Sequence, residues 1–302
     1  MQRELRSRLI FGPIMALGII VMLVGDAYGG WHWGALTLAF GGALLGCREF
    51  ARLARVHAAE VQPLPMIVVS AALVIAGHLA GAAQANALHD GWKIAEGHLA
   101  RQPVTALLLA LGFIWVVVAQ MIWHGTTRFF HNVGATMLGM LYVGMMFQLL
   151  LRLAWLGEPG NPGRGTQLVL LLVATVKLGD VAAFTGGKLT GRHKMVPSIS
   201  PGKTWEGFAW SFLGAIGGAY LFSAVLAAVF PHPPFAGWWQ PLVWGLVLGP
   251  LGVAGDLAES AMKRDAAVKD SGTGVPGFGG FLDLFDALVL ATPVAYVLAL
   301  VL

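Results

Sequence analysis

Between Gly255 and Asp286 a very apolar chain turns strongly polar. Asp256, Glu259, Lys263, Arg264, Asp265, Lys269, Asp270, Asp283 and Asp286 all fall in this stretch, although only 11% of the chain is charged. An Asp or Lys held near lipid costs roughly 2.5–3.5 kcal/mol on insertion scales, so such residues usually line a polar cavity or an ion site. On a helix, Asp256, Glu259, Ser260 and Lys263 share one face, spaced i, i+3, i+4 and i+7. Asp283 and Asp286 repeat the i, i+3 spacing. The intervening SGTGVPGFGG has five glycines and a proline. It is expected to be a non-helical loop whose backbone can come close to a ligand. Carboxylates flanking such a loop are hard oxygen donors of the kind Mg²⁺ takes, and Asp256 and Asp283, at span ends, are the leading candidates. Lys263, Arg264 and Lys269 can balance phosphate charge, while Glu259 and Asp265 are expected only to pair with neighbouring cations.

A second constellation runs from Asp180 to Gly207. Lys177 and Asp180 are spaced i, i+3 near the end of an apolar run. A basic loop follows with Lys188, Arg192, His193 and Lys194, then SISPGKTWEG. Ser200, Lys203 and Thr204 can cradle a triphosphate; a merely solvated basic loop is the equally weighted alternative. Two motifs fail on context. Gly202-Lys203-Thr204 resembles the end of a P-loop, but Pro197 stands where its first glycine belongs. Gly272, Gly274 and Gly277 match a dinucleotide fingerprint outside any βαβ unit. The nine histidines show no zinc spacing, and the single Cys47 excludes an intramolecular disulfide framework.

The elements that must hold these groups are membrane spans. The chain is 57% hydrophobic with mean hydropathy +0.73, too apolar for an ordinary soluble domain. About nine apolar runs approach the ~20 residues needed to cross a bilayer, at roughly 9–25, 31–47, 64–83, 104–123, 132–154, 166–187, 205–230, 238–258 and 284–302. The expected fold is therefore an all-α polytopic membrane bundle. It divides into an N-terminal transmembrane region, 1–165, with about five spans, and a C-terminal catalytic region, 166–302, with about four. With the N-terminus inside, 14 of the 19 Lys and Arg residues fall on the cytoplasmic side, as the positive-inside rule asks. Loops 188–204 and 259–283 then share the cytoplasmic face of the cell (inner) membrane. The formal net charge of +4 suits anionic head groups or phosphates. No basic stripe alternates with aromatics, so nucleic acid is not an expected partner.

Taken together, these residues resemble the phosphatidate cytidylyltransferases, or CDP-diacylglycerol synthases. That family's signature runs Ser-x-x-Lys-Arg, four residues, Lys-Asp, a glycine-rich turn, Pro-x-His-Gly-Gly, two residues, Asp-Arg-x-Asp. Ser260, Lys263, Arg264, Lys269, Asp270, Pro276, Gly279, Gly280, Asp283 and Asp286 stand in register with it. SPGKTWEG at 200–207, and Asp180 followed by Phe184 and Gly187, look like its other hallmark. The match is specific over about 176–290. Phe278 replaces the signature histidine and Leu284 the signature arginine. The resemblance implies transfer of CMP from CTP to phosphatidate, giving CDP-diacylglycerol and pyrophosphate. It implies a divalent cation, Mg²⁺, on Asp256 and Asp283, with a second cation left open. Lys203, Lys263 and Arg264 would bind phosphates. Asp180, Ser200, Thr204, Asp270 and Asp286 would serve the nucleotide or support the site. Membrane lipids are expected around the bundle, and a homodimer is left open. The competing functions are a CTP-dependent lipid kinase and a non-catalytic paralogue that binds lipid or partners.

Overall fold

The computed structural model describes residues 2–30, 32–55, 60–90, 104–157, 161, 163–268, 270–272 and 279–302, with the backbone alone for 2–12, 15, 16 and 84–90. Ten α-helices follow one another: α1 (Gln2–Gly29), α2 (Trp33–Arg55), α3 (Pro63–Asp90), α4 (Val104–Trp123), α5 (Phe129–Gly139), α6 (Met146–Ala154), α7 (Arg164–Thr190), α8 (Trp205–Val229), α9 (Trp239–Asp265) and α10 (Leu282–Val301). A π-helical turn, Met140–Met145, joins α5 to α6, so Phe129–Ala154 is one continuous rod. One antiparallel hairpin, β1 (Lys194–Val196) and β2 (Ser200–Thr204), lies between α7 and α8.

Among the described residues, seven helices are long and apolar enough to cross a membrane, and they coincide with the third to ninth expected spans. Lipid offers backbone amides no hydrogen-bond partner, so spanning segments must satisfy them internally, which a helix does. The fold is an all-α polytopic membrane bundle. α1 and α2 occupy the first two expected spans. α2 ends in Arg48, Glu49, Arg52 and Arg55.

Small residues let α9 pack closely on both of its neighbours. A Cβ on Gly245 would lie 2.5 Å from the Ile216 backbone of α8, and one on Gly255 would lie 2.5 Å from the Asp286 carbonyl of α10. Backbones approach this closely only where a side chain is missing. The second contact brings α9 and α10 together at the level of their acidic residues. Buried Cys47, Met66, Val143, Phe147, Leu172 and Leu248 fill the bundle interior.

Parts of both expected loops are regular structure. Lys188–Thr190 still belong to α7, which stops at Gly191, where the backbone turns extended. The chain then folds as the hairpin, with Arg192, His193 and Lys194 exposed and Lys203 half-buried. Likewise α9 continues to Asp265 and ends where Ala267 adopts φ +52. Ser260, Lys263 and Arg264 are therefore helical, as their spacing predicts.

Candidate active site

The acidic and basic residues assemble where the middle of α7, the last third of α9 and the first turns of α10 meet, beside the hairpin. Three lysines meet three aspartates there. Lys203 of β2 contacts Asp256 of α9 at 2.8 Å, Lys263 of α9 contacts Asp283 of α10 at 2.7 Å, and Lys177 of α7 lies 3.7 Å from Asp286 of α10. A partly buried charge is tolerated only with a partner of opposite sign, and here each partner comes from a different element. Asp180 stands in the field of Lys177, Asp286, Asp256 and Lys203, so the second constellation converges on the first.

Each group has further partners. Lys203 also donates to the Val253 carbonyl at 3.2 Å. Ser260 donates to Asp256 at 3.3 Å, one helical turn away. Lys263 also reaches Glu259 at 3.2 Å, whose side chain is fully buried. An ammonium has three N–H donors. Lys203 and Lys263 each spend two on these contacts and keep one for a ligand oxygen. Arg264 is exposed and donates through Nε to the Ile199 carbonyl in the hairpin turn at 3.3 Å. Lys203 and Arg264 thus fasten the hairpin to α9.

Thr204 caps α8: its hydroxyl accepts from the Gly207 amide at 3.1 Å, leaving its own proton free to donate. Ser200 opens β2, half-buried. Asp270 is exposed at the rim of the loop before α10, where a Cβ on Gly279 would come 3.3 Å from its own. Asp283 Oδ2 accepts from the Ser271 amide at 3.1 Å, the Ser271 hydroxyl at 3.1 Å and the Gly280 amide at 2.7 Å. It is both a candidate ligand and the residue that shapes the loop. Lys269, Phe278 and Pro276 lie outside the described residues. Leu284 lines an apolar groove between helices.

One residue of this site is not anticipated by the sequence. Glu49, near the end of α2, is buried. It accepts from the Phe281 amide at 2.8 Å, the Leu282 amide at 2.9 Å and the Ser271 hydroxyl at 3.1 Å. The Ser271 hydroxyl thus sits between two carboxylates, Glu49 and Asp283. Gly280 fits beneath them only for want of a side chain: a Cβ there would lie 1.9 Å from Ser271 Oγ and 2.6 Å from Glu49 Oε2. A lone acid near a span end was the available signal, but Arg48, Arg52 and Arg55 around it read as an ordinary cytoplasmic rim.

Among the described residues, no group of three or more His, Cys, Asp or Glu side chains is arranged to hold a metal ion. A hard cation such as Mg²⁺ needs fewer protein ligands, since it keeps waters and shares substrate phosphates. Asp256 and Asp283 each already turn one oxygen to a cation, the ammonium of Lys203 or Lys263, so the donor set fits such an ion.

Fold and site define a membrane-embedded helical bundle with a lysine–aspartate cluster held by a hairpin and a glycine-rich loop. The chain belongs to the cytidylyltransferase family, which it matches over residues 6–302. It is 32% identical to phosphatidate cytidylyltransferase 4, chloroplastic, of Arabidopsis thaliana over 97% of this chain and 73% of that protein. It is 34% identical to the phosphatidate cytidylyltransferase of Chlamydia pneumoniae over 69% of this chain and 68% of that one. It is also 36% identical to a protein of Escherichia coli (strain K12), YnbB, over 61% of this chain but only 59% of its relative.

Proposed function

We propose that this protein transfers the cytidylyl group of CTP to phosphatidate, or a closely related lipid phosphate, forming CDP-diacylglycerol and pyrophosphate. The observation that carries the reading is the convergence of three lysine–aspartate pairs from α7, β2, α9 and α10 in a membrane bundle. Names of relatives support the same chemistry.

A lipid phosphate oxygen attacks the α-phosphorus of CTP. A phosphorus–oxygen bond forms there, and the bond to the β-phosphate oxygen breaks, with its electron pair leaving on pyrophosphate. The attacking oxygen is already ionised at neutral pH, so no strong base is required. Catalysis then consists of aligning two polyanions and stabilising the leaving group. Lys203 and Lys263 offer their remaining N–H donors to phosphate oxygens, and Arg264, beside the hairpin, adds a third cation, with Lys269 a further candidate. Asp180, Ser200, Thr204, Asp270 and Asp286 serve the nucleotide or hold these cations. When bound, Mg²⁺ on Asp256 and Asp283 supplies neutralisation of phosphate charge. The N-terminus and both polar loops lie on the cytoplasmic side of the cell membrane in this reading.

The test is purified protein with CTP, Mg²⁺ and a panel of lipid phosphates and lipid alcohols, reading both products. CDP-lipid with pyrophosphate is expected. CDP with a newly phosphorylated lipid would make the protein a kinase. Neither product, with folding confirmed, would overturn the catalytic reading.

A further inference from the structure

An apolar groove of about 430 Å³ opens between α1, α2, α6, α7, α8 and α10. Among the described residues, Lys177 is the one charged residue in its lining. Beside Lys177 at the head of the groove stand Leu284 and Phe285, which lie in sequence between Asp283 and Asp286. From there the groove follows α7 back to Val169. That is eight residues, or about 12 Å at 1.5 Å per helical residue. Its far walls are Leu23, Ala35 and Ala154, near the ends of α1, α2 and α6 remote from the hairpin. The groove is therefore apolar along its whole length: Lys177 lines it with its aliphatic stem and turns its ammonium to Asp286 beyond the groove head, so one end abuts the lysine–aspartate cluster and the other runs toward the opposite end of the bundle.

We propose that this groove holds a fatty acyl chain of the lipid phosphate substrate, with the phosphate at Lys177 and the chain running along α7 toward Val169. The proposal rests on the cytidylyl-transfer reading and gives that site its lipid arm. Three features commit the groove to an anionic amphiphile. Its volume is that of a small-molecule pocket, at the lower end of the usual range. Its lining is carbon throughout, and the Lys177 ammonium stands just beyond one end, an order that matches a hydrocarbon tail attached to an anionic head group. Lys177 also contacts Asp286, so an anion held there stands next to the carboxylates of the reaction site. Leu284 keeps the groove head apolar on the α10 side, so contact with the chain begins at the first turn of α10.

Two arms test this. In the first, KM is measured for a long-chain and a dihexanoyl phosphatidate in the full chain and in Val173→Trp, which fills the groove from a half-buried position. Val173→Ala is the control for disturbance of α7. Val173→Trp is expected to raise KM for the long-chain lipid at least about tenfold over its effect on the dihexanoyl lipid, which corresponds to about 1.4 kcal/mol. Loss of contact with about two methylenes accounts for that. Equal effects on both lipids, or none, would overturn the groove while leaving the transfer reaction standing. In the second arm, a phosphatidate with a diazirine on its acyl chain is photolysed with the unsubstituted protein and adducts are mapped. Adducts within 169–178 or 284–288, competed by phosphatidate but not by phosphatidylcholine, are expected. Adducts competed equally by both lipids would make the groove an ordinary lipid contact. This arm reads binding even if no turnover occurs, so failure of the reaction and failure of the groove are told apart.

Discussion

At the scale of single residues, Asp256 and Asp283 look alike in sequence but are built differently. Asp256 contacts side chains only, Lys203 and Ser260. Asp283 also holds two loop amides and the Ser271 hydroxyl. Asp256→Asn and Asp283→Asn are both expected to abolish metal-dependent turnover. Only Asp283→Asn should also speed hydrogen exchange of the loop around Ser271 and Gly280. Normal Mg²⁺ dependence in both variants would remove these residues from the metal site. Glu259→Gln should be milder, because Lys263 retains Asp283 at 2.7 Å. Glu49 makes a separate case, since it touches loop groups rather than the lysines. In Glu49→Gln one carboxylate oxygen becomes an NH₂ group facing N–H donors. An unsatisfied buried group of this kind costs about 1–3 kcal/mol. The expected outcome is a lower melting temperature with faster exchange at Phe281 and Leu282; unchanged exchange there would mean that Glu49 does not hold the loop. The shared helix face of Asp256, Glu259, Ser260 and Lys263 was legible from spacing, because i, i+3 and i+4 relations are local. Glu49 was not, because its partners lie 222 to 233 residues away and no local pattern encodes that contact.

At the scale of elements, the hairpin and the glycine-rich turn do the positioning. The long apolar helices were readable from hydropathy, since a span needs only length and apolarity. The hairpin was not: Lys194–Thr204 is too short and too basic to show strand alternation, and its order comes from Lys203 and Arg264 anchoring it to α9. The π-turn at Met140–Met145 is equally silent in sequence, because its residues suit an α-helix as well. Thr204 carries the junction of β2 and α8 as a helix cap. Thr204→Ala is expected to cost about 1 kcal/mol, the usual value of an N-cap side chain, while Thr204→Ser restores it. Thermal melting in detergent measures both. A fall in CTP affinity in Thr204→Ala without loss of stability would instead make the hydroxyl a nucleotide contact. Gly280→Ala is a harsher change, because its Cβ would meet Ser271 Oγ at 1.9 Å and the Gly272 backbone nitrogen at 2.7 Å, and the Ser271 hydroxyl is already held by Glu49 and Asp283. Turnover should be lost and the loop's exchange protection with it; wild-type values for both would refute the tight packing at Gly280.

At the scale of the whole molecule, the site is shared by both halves of the chain. The sequence divides at about 165 into a featureless apolar half and a half bearing the chemistry. The structure has α2 supply a carboxylate that holds the residues leading into α10, and α1, α2 and α6 supply walls of the apolar groove. The apolar half is thus part of the scaffold of the site. Orientation in the membrane is the remaining global property, and the Lys/Arg distribution makes a definite prediction about it. Fourteen of the 19 basic residues fall on one side if the N-terminus is cytoplasmic, and the translocation bias against positive charge then places Arg192 and Lys269 together on that side. The structure independently joins these two regions: Arg264, shortly before Lys269, donates to Ile199 of the hairpin that begins after Arg192. Cysteines placed singly at 192 and 269, in a background with Cys47 replaced, should resist a membrane-impermeant thiol reagent in intact cells and react once the membrane is opened. Labelling of both from outside would invert the bundle while leaving the site assembled. Labelling of only one from outside would contradict both the orientation and the hairpin contact, because Ile199 and Arg264 cannot meet across a bilayer.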